Sequence, residues 1–239
     1  MRRRFFVDGF TGRTAVMEGD AAHHLGRVLR VQPGQSYELS DGESVWLGEI
    51  ESVGRDVVKF KLLEELPAYK RSLETTLLLS IVKFDAFEWA LEKATELGVS
   101  RIVPLAAERS EKGLLAAAVK RSERWQKILL EASQQSRRVQ LPVLQSLAKP
   151  GSSFAAFGIG VRVMLSESAE ALSLKAVLRG KDASAAVLAI GPEGGWTDSE
   201  FTAARECGFQ EASLGKLILR TETAVVAALS AINFALSPE

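Results

Sequence analysis

Short, mostly apolar runs recur along the C-terminal two thirds of the chain, at residues 76–82, 101–105, 161–165, 186–190 and 212–214. Runs of this kind are typical of strands that are buried on both faces of a parallel sheet. The segments between them repeat apolar residues every three or four positions, as amphipathic helices do. This alternation predicts an α/β domain built on a parallel sheet.

The helical patterns cover residues 84–97, 114–136, 169–178, 197–207 and 222–236. Gly98 is a suitable C-terminal stop for the first of these helices. Thr197-Asp-Ser-Glu200 has the spacing of a capping box and predicts the start of the fourth. The fifth is apolar on nearly every face, which favours burial in a core or in a subunit interface.

The first 66 residues follow a different pattern, with short alternating runs separated by tight turns and one predicted short helix at 21–28. Several short strands with such turns are typical of a small β-barrel. The polar stretch 64–72, which contains Pro67, favours a domain boundary. We therefore expect one domain at 1–70 and a second at 74–239.

Composition narrows the choice of function. The chain has thirty basic and thirty acidic side chains, so a general, charge-driven affinity for nucleic acid is not expected. Basic residues are nevertheless concentrated at 109–138 and in the first thirty residues, where they fit either a face for a polyanion or ordinary solvated helices. The basic N-terminus lacks a signal-peptide core, and no apolar run is long enough to span a bilayer. We expect a cytoplasmic protein.

Two stretches near the C-terminus combine an apolar run with an abrupt turn. Gly191-Pro-Glu-Gly-Gly195 follows the 186–190 run, and Arg220-Thr-Glu-Thr-Ala224 follows Leu214-Gly-Lys-Leu-Ile-Leu219. Glycine lets a backbone approach a ligand closely, and ligands of open α/β sheets bind at the carboxyl ends of strands. The glycine spacing matches neither a Walker A loop nor the dinucleotide fingerprint. We expect Ile218 and Leu219 to be buried and the charged residues after them to lie at a pocket mouth.

Metal chemistry is not predicted. The chain has one cysteine, Cys207, and only two histidines, the adjacent His23 and His24. No carboxylate cluster in the sequence accompanies them, so a metal site is not expected. Arg27 and Arg30 follow on the same predicted helix, where a contact with phosphate is possible.

Several segments together resemble the ribosomal RNA small subunit methyltransferase E family, which belongs to the SPOUT methyltransferases. The matching segments lie in order along nearly the whole chain: His23-His-Leu with Val28-Leu-Arg30, Lys93-Ala-Thr-Glu-Leu-Gly98 with Pro104, Arg124-Trp125, Glu131-Ala with Gln135-Ser-Arg137, Ile190-Gly-Pro-Glu-Gly-Gly195, and Leu214-Gly with Ile218-Leu-Arg-Thr-Glu-Thr-Ala224. The last two are the most specific. Trp196 stands where the resemblance leads us to expect Phe or another bulky residue.

The resemblance implies a PUA-like β-barrel that helps to bind RNA, followed by a SPOUT domain whose parallel sheet contains a deep trefoil knot, an exception to the rule against knots. It also implies methylation of N3 of a uridine in 16S rRNA, with S-adenosyl-L-methionine as cofactor and a homodimer as the active form. The small ribosomal subunit would be the partner, with no membrane involved.

The resemblance, together with the chemistry that methyl transfer needs and the distribution of basic residues, leads us to expect the following roles. The cofactor-binding residues would be Leu165, Ser166, Glu167, Ile190, Gly191, Pro192, Gly194, Gly195, Leu214, Gly215, Leu217, Leu219, Arg220, Thr223 and Ala224. Arg220 would hold a phosphate or stabilise negative charge on the uracil oxygens, and either Glu193 or Glu222 would accept the N3 proton. The RNA contacts would come from Arg2, Arg3, Arg4, His23, His24, Arg27, Arg30, Arg109, Arg137 and Arg138.

Two other functions stay open at this point. One is a different SPOUT enzyme that acts on transfer RNA or on a ribose 2′-hydroxyl, against which the Arg-Thr-Glu-Thr-Ala segment argues. The other is a non-catalytic RNA-binding factor in ribosome assembly. The intact glycine-rich loop argues against the second, because a binding factor has no need of a cofactor pocket.

Overall fold

The chain forms two compact units in the computed structural model, which describes residues 3–69 and 72–236. The first unit combines Met1–Lys70 with Ser133–Leu141, and the second combines Arg71–Ala132 with Pro142–Glu239. The hydrophobic pattern did not anticipate that Ser133–Leu141 belongs with the N-terminal unit. None of the helices in the described residues is both long and apolar enough to cross a membrane.

The first unit is organised around a curled, barrel-like sheet. Its strands are β1 (Arg4–Phe6), β2 (Phe10–Thr11), β3 (Thr14–Glu18), β4 (Ser36–Ser40), β5 (Val45–Val53) and β6 (Val57–Leu66). They pair in the order β1-β4-β5-β6-β3-β2, and all pairs are antiparallel except β1 with β4. Alternate side chains such as Phe5, Leu39 and Phe60 fill the interior. The prediction of a small β-barrel is confirmed.

The predicted helix at 21–28 is only partly right. Helix α1 (Gly19–His23) is α-helical, but it continues as a π-helical turn over His24–Val28. The backbone N–H of Leu29 donates to the carbonyl of His24, five residues earlier, at 3.1 Å. Arg30 then takes a left-handed conformation, with φ of 51°, and ends the helical segment.

The second unit alternates strands with helices, as the pattern predicted. In chain order it contains β7 (Glu74–Ser80), α2 (Phe84–Glu96), β8 (Arg101–Leu105), α3 (Lys112–Ala118), α4 (Ser122–Gln135), β9 (Val143–Leu144), α5 (Pro150–Ala156), β10 (Val161–Leu165), β11 (Leu172–Ser173), α6 (Leu174–Leu178), β12 (Ala185–Ile190), α7 (Asp198–Glu206), β13 (Gln210–Ser213) and α8 (Thr221–Leu236). The sheet order is β11-β13-β10-β12-β7-β8-β9, and every pair is parallel. The α/β class is confirmed, whereas the trefoil knot stays a prediction from the resemblance.

Two predicted helices differ from the observed ones. The pattern at 114–136 is divided between α3 and α4 by a 3₁₀ turn at Val119–Arg121. The pattern at 169–178 forms a helix only from Leu174, because the Ser173 hydroxyl caps it by accepting from the Ala176 N–H at 3.2 Å. Helix α5 and strand β9 were not predicted. The capping box of α7, in contrast, is present as expected.

Helices cover both faces of the parallel sheet. Leu77 and Leu79 of β7 belong to the same buried cluster as Ile232 of α8. Leu78, on the opposite face of the same strand, belongs to a second cluster with Phe154 of α5. Since successive strand side chains point to opposite faces, a strand buried on both sides favours apolar residues at successive positions, as at Leu77–Leu79. This explains why the sequence shows runs of consecutive apolar residues here rather than an alternation of apolar and polar residues.

A buried charge cluster fastens Ser133–Leu141 within the first unit. Arg4 and Glu38 are only 8% and 7% exposed, and their side chains pair at 2.9 Å. The Arg4 guanidinium also donates to the Arg137 carbonyl at 2.6 Å, and Arg137 pairs with Glu38 at 3.5 Å. The Ser40 hydroxyl donates to the Val139 carbonyl at 2.8 Å. The segment is therefore held by polar contacts with β1 and β4.

A second ion cluster fastens α4 within the second unit. The buried Glu88 of α2 accepts from both Arg121 and Arg124 at 2.8 Å. Hydrogen bonds from Arg124 are the largest influence on this carboxyl group, and they hold the pKa of Glu88 below its ordinary value of 4.5. The Arg121 guanidinium also stacks 3.9 Å from the centre of the Phe84 ring.

We predict that Glu38→Gln selectively destabilises the first unit. The change leaves the Arg4 charge buried without its carboxylate, and breaking a buried ion pair in this way costs about 3–5 kcal/mol. Hydrogen exchange measured by mass spectrometry should show faster exchange in β4 and in Ser133–Leu141. Asp56→Asn is the matched control, because the exposed side chain of Asp56 lies 3.9 Å from that of Arg55, and its backbone contact with Gly19 is kept in the variant. Equal protection of β4 in both variants would contradict the prediction.

We also predict an acid-dependent contribution from Glu88. Because its pKa is lowered in the folded state, this carboxylate stabilises the protein fully above about pH 4.5, and the contribution is lost as the pH falls through the lower folded value. The melting temperature of Glu88→Gln should lie well below that of the wild type at pH 7, and the gap should narrow towards pH 3. Glu123→Gln, at an exposed position of α4, is the control. A gap that is the same at both pH values would refute this assignment.

Candidate active site

A cavity of about 580 Å³ lies at the carboxyl ends of three neighbouring strands. Strands β10, β12 and β13 end at Leu165, Ile190 and Ser213, and β10 pairs with the other two. Parallel pairing brings these ends to one edge of the sheet, where the loops that follow them form the cavity walls. The volume lies within the range of small-molecule sites.

The glycine-rich loop after β12 forms one wall, and its conformation requires glycine. Gly195 has φ of 70°, a conformation that is strained for other residues, and its N–H donates to the Pro192 carbonyl at 2.8 Å. A Cβ on Gly194 would lie 3.2 Å from the Cβ of Arg109. A Cβ on Gly191 would lie 3.1 Å from the Trp196 ring. The loop is therefore closely packed from two sides.

Trp196 links this loop to the end of β10. Its ring is 4% exposed, and its indole N–H donates to the Leu165 carbonyl at 3.1 Å. A phenylalanine, the residue usual at this position in the resemblance, could not donate this bond. In this chain the two neighbouring walls of the cavity are thus joined by one side chain.

The loop after β13 forms the third wall, and here one expectation is wrong. Residues 214–220 form no strand. Ile218 and Leu219 were expected to be buried, but Ile218 is 78% exposed and Leu219 is half-buried. Gly215, with φ of 134°, and the Ser213 hydroxyl, which donates to the Gly215 carbonyl at 2.9 Å, shape the turn. An apolar run predicted burial, but the run leaves the sheet at Ser213 and lines the cavity instead.

The cavity brings together most of the residues that the sequence selected. The predicted residues that line it are Leu165, Ser166, Glu167, Ile190, Gly191, Pro192, Glu193, Gly194, Gly195, Leu214, Gly215, Leu217, Leu219, Arg220 and Ala224. Glu222 and Thr223 are not among the lining residues, although both lie in the first turn of α8. Of the two proposed proton acceptors, only Glu193 faces the cavity.

Other lining residues were not predicted as part of this site. They are Arg109, Ser168, Trp196, Phe201, Ser213, Lys216, Ile218 and Thr221. Most of them are adjacent in sequence to residues that were predicted for the site, but the sequence does not show which neighbouring residues line the cavity. Arg109 is different, because it comes from the loop after β8 and had been assigned to RNA contact. Its guanidinium donates to the Gly194 carbonyl at 2.9 Å.

The predicted RNA-contacting residues of the first unit divide by exposure. Arg3, His23, His24, Arg27 and Arg30 are exposed, which fits a surface for phosphates. Arg4 is buried against Glu38, so the prediction that it meets RNA does not agree with its position.

Two further arginines, Arg137 and Arg138, lie in the inserted segment. Arg137 pairs with Glu38, and Arg138 donates to the Gln140 carbonyl at 2.9 Å. Arg2 lies outside the described residues.

The charges of the cavity are mixed. Arg109, Lys216 and Arg220 contribute cations, whereas Glu167 and Glu193 contribute carboxylates. Backbone groups of three loops and the apolar side chains of Leu165 and Ile190 complete the lining. Such a site can hold a zwitterionic molecule with an apolar part, and it has room for an anionic partner near Arg220.

Comparisons with known proteins agree with this geometry. A model described as "RNA methyltransferase domain" matches residues 69–233, and one described as "RNA methyltransferase PUA domain" matches residues 18–63. The chain is similar to the ribosomal RNA small subunit methyltransferase E of a Synechocystis strain, with 37% identity over 88% of this chain and 70% of that protein. It is also similar to that of Aquifex aeolicus, with 30% identity over 96% of this chain and 99% of that protein.

A solved structure extends the likeness to three dimensions. The ribosomal RNA small subunit methyltransferase E of Neisseria gonorrhoeae, crystallised with bound S-adenosyl methionine, matches with a TM-score of 0.88 and 31% identity, over 99% of this chain and 98% of that one. The family model for the methyltransferase domain matches well over half of the chain. This chain belongs to the ribosomal RNA small subunit methyltransferase E family of RNA methyltransferases.

Proposed function

We propose that this protein transfers a methyl group from S-adenosylmethionine to N3 of a uridine in 16S ribosomal RNA, and that it does so in the cytoplasm. The observation that carries the proposal is the convergence of three loops, from β10, β12 and β13, on one cavity with a glycine-rich wall. Family membership supports the RNA substrate. The choice of uridine N3 rests on the resemblance of Arg220-Thr-Glu-Thr-Ala224.

The cavity fits the proposed cofactor. The glycines leave backbone groups accessible without a Cβ, and Leu165, Ile190 and Leu219 offer apolar surface to a purine. The carboxylate of Glu167 and the cations of the lining suit the charged groups of a methionine moiety. When bound, S-adenosylmethionine supplies an electrophilic methyl group on a sulfonium centre.

The residues around the cavity would prepare the uridine. The neutral imide is a poor nucleophile, so the N3 proton must leave, and Glu193 is the one of the two proposed acceptors that lines the cavity. Arg220, also in the lining, would stabilise the negative charge that develops on the uracil oxygens or hold a neighbouring phosphate. Holding the base in line with the methyl group supplies the rest of the acceleration.

RNA would be held mainly through phosphates. The first unit presents the exposed side chains of Arg3, His23, His24, Arg27 and Arg30, and its match to a PUA model supports this role. Contacts with phosphates release counterions, so the affinity for a small-subunit RNA fragment should fall steeply as salt is raised.

A second copy of the chain would cover apolar surface that one copy leaves exposed. Helix α8 is apolar around most of its circumference, yet Phe234 is 94% exposed. Leu217 and Ile218 are exposed at the cavity itself. Burying large apolar side chains of this kind is the main driving force of stable association. We infer a homodimer whose interface includes α8.

We predict saturable binding of S-adenosylmethionine in calorimetric titration, and loss of binding in Gly195→Trp, whose side chain would occupy the cavity. Gly180→Trp is the matched control: Gly180 has a similar φ of 66°, with open space around it and no place in the cavity. It should share the backbone strain and retain binding. Absence of binding by the wild type would refute the proposed activity and favour a non-catalytic RNA-binding role.

The product identifies the reaction. Incubation with small-subunit RNA and labelled cofactor, followed by nucleoside analysis, should yield 3-methyluridine. A 2′-O-methylated nucleoside, or methylation of transfer RNA alone, would overturn the uridine-N3 assignment while leaving methyl transfer intact.

The homodimer gives a separate prediction. Phe234→Glu should shift the mass measured by sedimentation equilibrium from two chains to one, because it places a charge in the apolar interface. Ile159→Glu changes an equally exposed apolar residue, at 81% exposure, outside α8 and should leave the mass unchanged. A monomeric wild type, or a dimeric Phe234→Glu, would contradict the interface.

A further inference from the structure

The loop after β8 reaches the glycine-rich loop although their strands do not pair. In the sheet, β7 lies between β8 and β12. The loop is fixed to the end of β7 by the buried Ser110, whose hydroxyl donates to the Ile81 carbonyl at 2.8 Å. Contact with the β12 side is made by side chains that extend across this gap.

Glu200 makes the first of these contacts. It is only 8% exposed, and its carboxylate accepts from the backbone N–H groups of Glu108 and Thr197, each at 2.9 Å. The Thr197 bond belongs to the capping box of α7, whereas the Glu108 bond is not needed for capping. One buried carboxylate therefore ties the loop after β8 to the residues that end the glycine-rich loop.

Arg109, next to Glu108, makes the second contact. Its guanidinium donates to the Gly194 carbonyl at 2.9 Å, and a Cβ placed on Gly194 would lie 3.2 Å from the Arg109 Cβ. A side chain at 194 would therefore crowd Arg109. The glycine-rich loop is held on this side by Arg109 and on the other by Trp196.

The contacts made by Glu200 and Arg109, together called the clamp, restrict the conformations of a loop that is rich in glycine. Glycine loses more conformational freedom on ordering than any other residue, and Gly191–Gly195 contains three of them. A loop that is already ordered before the ligand arrives loses little further conformational entropy when the ligand binds. Arg109 itself is exposed, so its single bond to Gly194 adds little to global stability.

We propose that Arg109 and Glu200 are positioning residues that preorganise the glycine-rich loop and thereby set the affinity for the cofactor. The proposal rests on the proposed function and deepens it. It assigns to Arg109 a role in cofactor binding that does not require RNA. Glu200 acts through Arg109, because it fixes the backbone from which Arg109 extends.

The test compares Arg109→Ala, Arg109→Lys, Glu200→Gln and the Arg109→Ala/Glu200→Gln double variant by calorimetric titration with S-adenosylmethionine, without RNA. Arg109→Ala should raise Kd about three- to tenfold, the loss expected for one hydrogen bond. Arg109→Lys should regain part of the affinity, because an ammonium can also donate to a carbonyl. Arg205→Ala, which removes an exposed arginine paired with Glu211 outside the cavity, is the matched control and should bind as the wild type does.

Two readouts separate positioning from general stability. With RNA present, KM for the cofactor should rise by the same factor as Kd while kcat stays unchanged. The double variant should be no weaker than the weaker single variant, since both act through one contact. Additive losses would overturn the coupling of Glu200 to Arg109.

The remaining outcomes are also decisive. Equal Kd for the wild type and Arg109→Ala overturns the clamp alone, and a fall in kcat at constant KM makes Arg109 part of the chemistry instead. A wild type that binds no cofactor overturns the proposed function and the clamp with it. Arg109→Ala keeps the test valid even if Glu200→Gln does not fold, because the Arg109 side chain is exposed.

Discussion

The parallel pairing of β12 with β7 on one side and β10 on the other is the constraint on which the rest of the second unit depends. It places the carboxyl ends of neighbouring strands at one edge of the sheet. The backbone groups of the loops that follow these strands therefore have no hydrogen-bond partners within the sheet. Polar groups at such an edge must find other partners. Here they find Trp196, Arg109 and Glu200, and the same contacts that satisfy the backbone also shape the cavity.

The fold was predictable where the sequence pattern and the burial agree. The run 161–165 became β10 with the same bounds, and Thr197 caps α7 as its spacing predicted. Prediction failed where a local hydrogen bond, rather than the apolar period, determined where a helix begins. The Ser173 hydroxyl caps α6, so this helix begins at Leu174 instead of at residue 169. It failed again at Ile218, because an apolar run does not show whether a segment enters the core or lines a cavity.

The site was predictable to the extent that its parts are contiguous in sequence. The glycine-rich loop and the 214–224 segment could be recognised by their own residues. The hydrogen bonds from the Glu108 N–H to Glu200 and from Arg109 to the Gly194 carbonyl join positions 92 and 85 residues apart, and neither leaves a local signal. Arg4 was misassigned for the same reason, since a basic N-terminus does not reveal that its third arginine is buried against Glu38.

The insertion of Ser133–Leu141 into the first unit has a consequence for the order in which the protein can assemble. Chains leave the ribosome from the N-terminus, so β1 and β4 emerge long before Arg137 and Val139. Until then Arg4 lacks the Arg137 carbonyl and Ser40 lacks the Val139 carbonyl, to which they donate in the finished structure. The first unit, although first in sequence, cannot be completed until more than half of the chain has been synthesised. A fragment that ends at residue 70 would resemble this unfinished state rather than an independent domain.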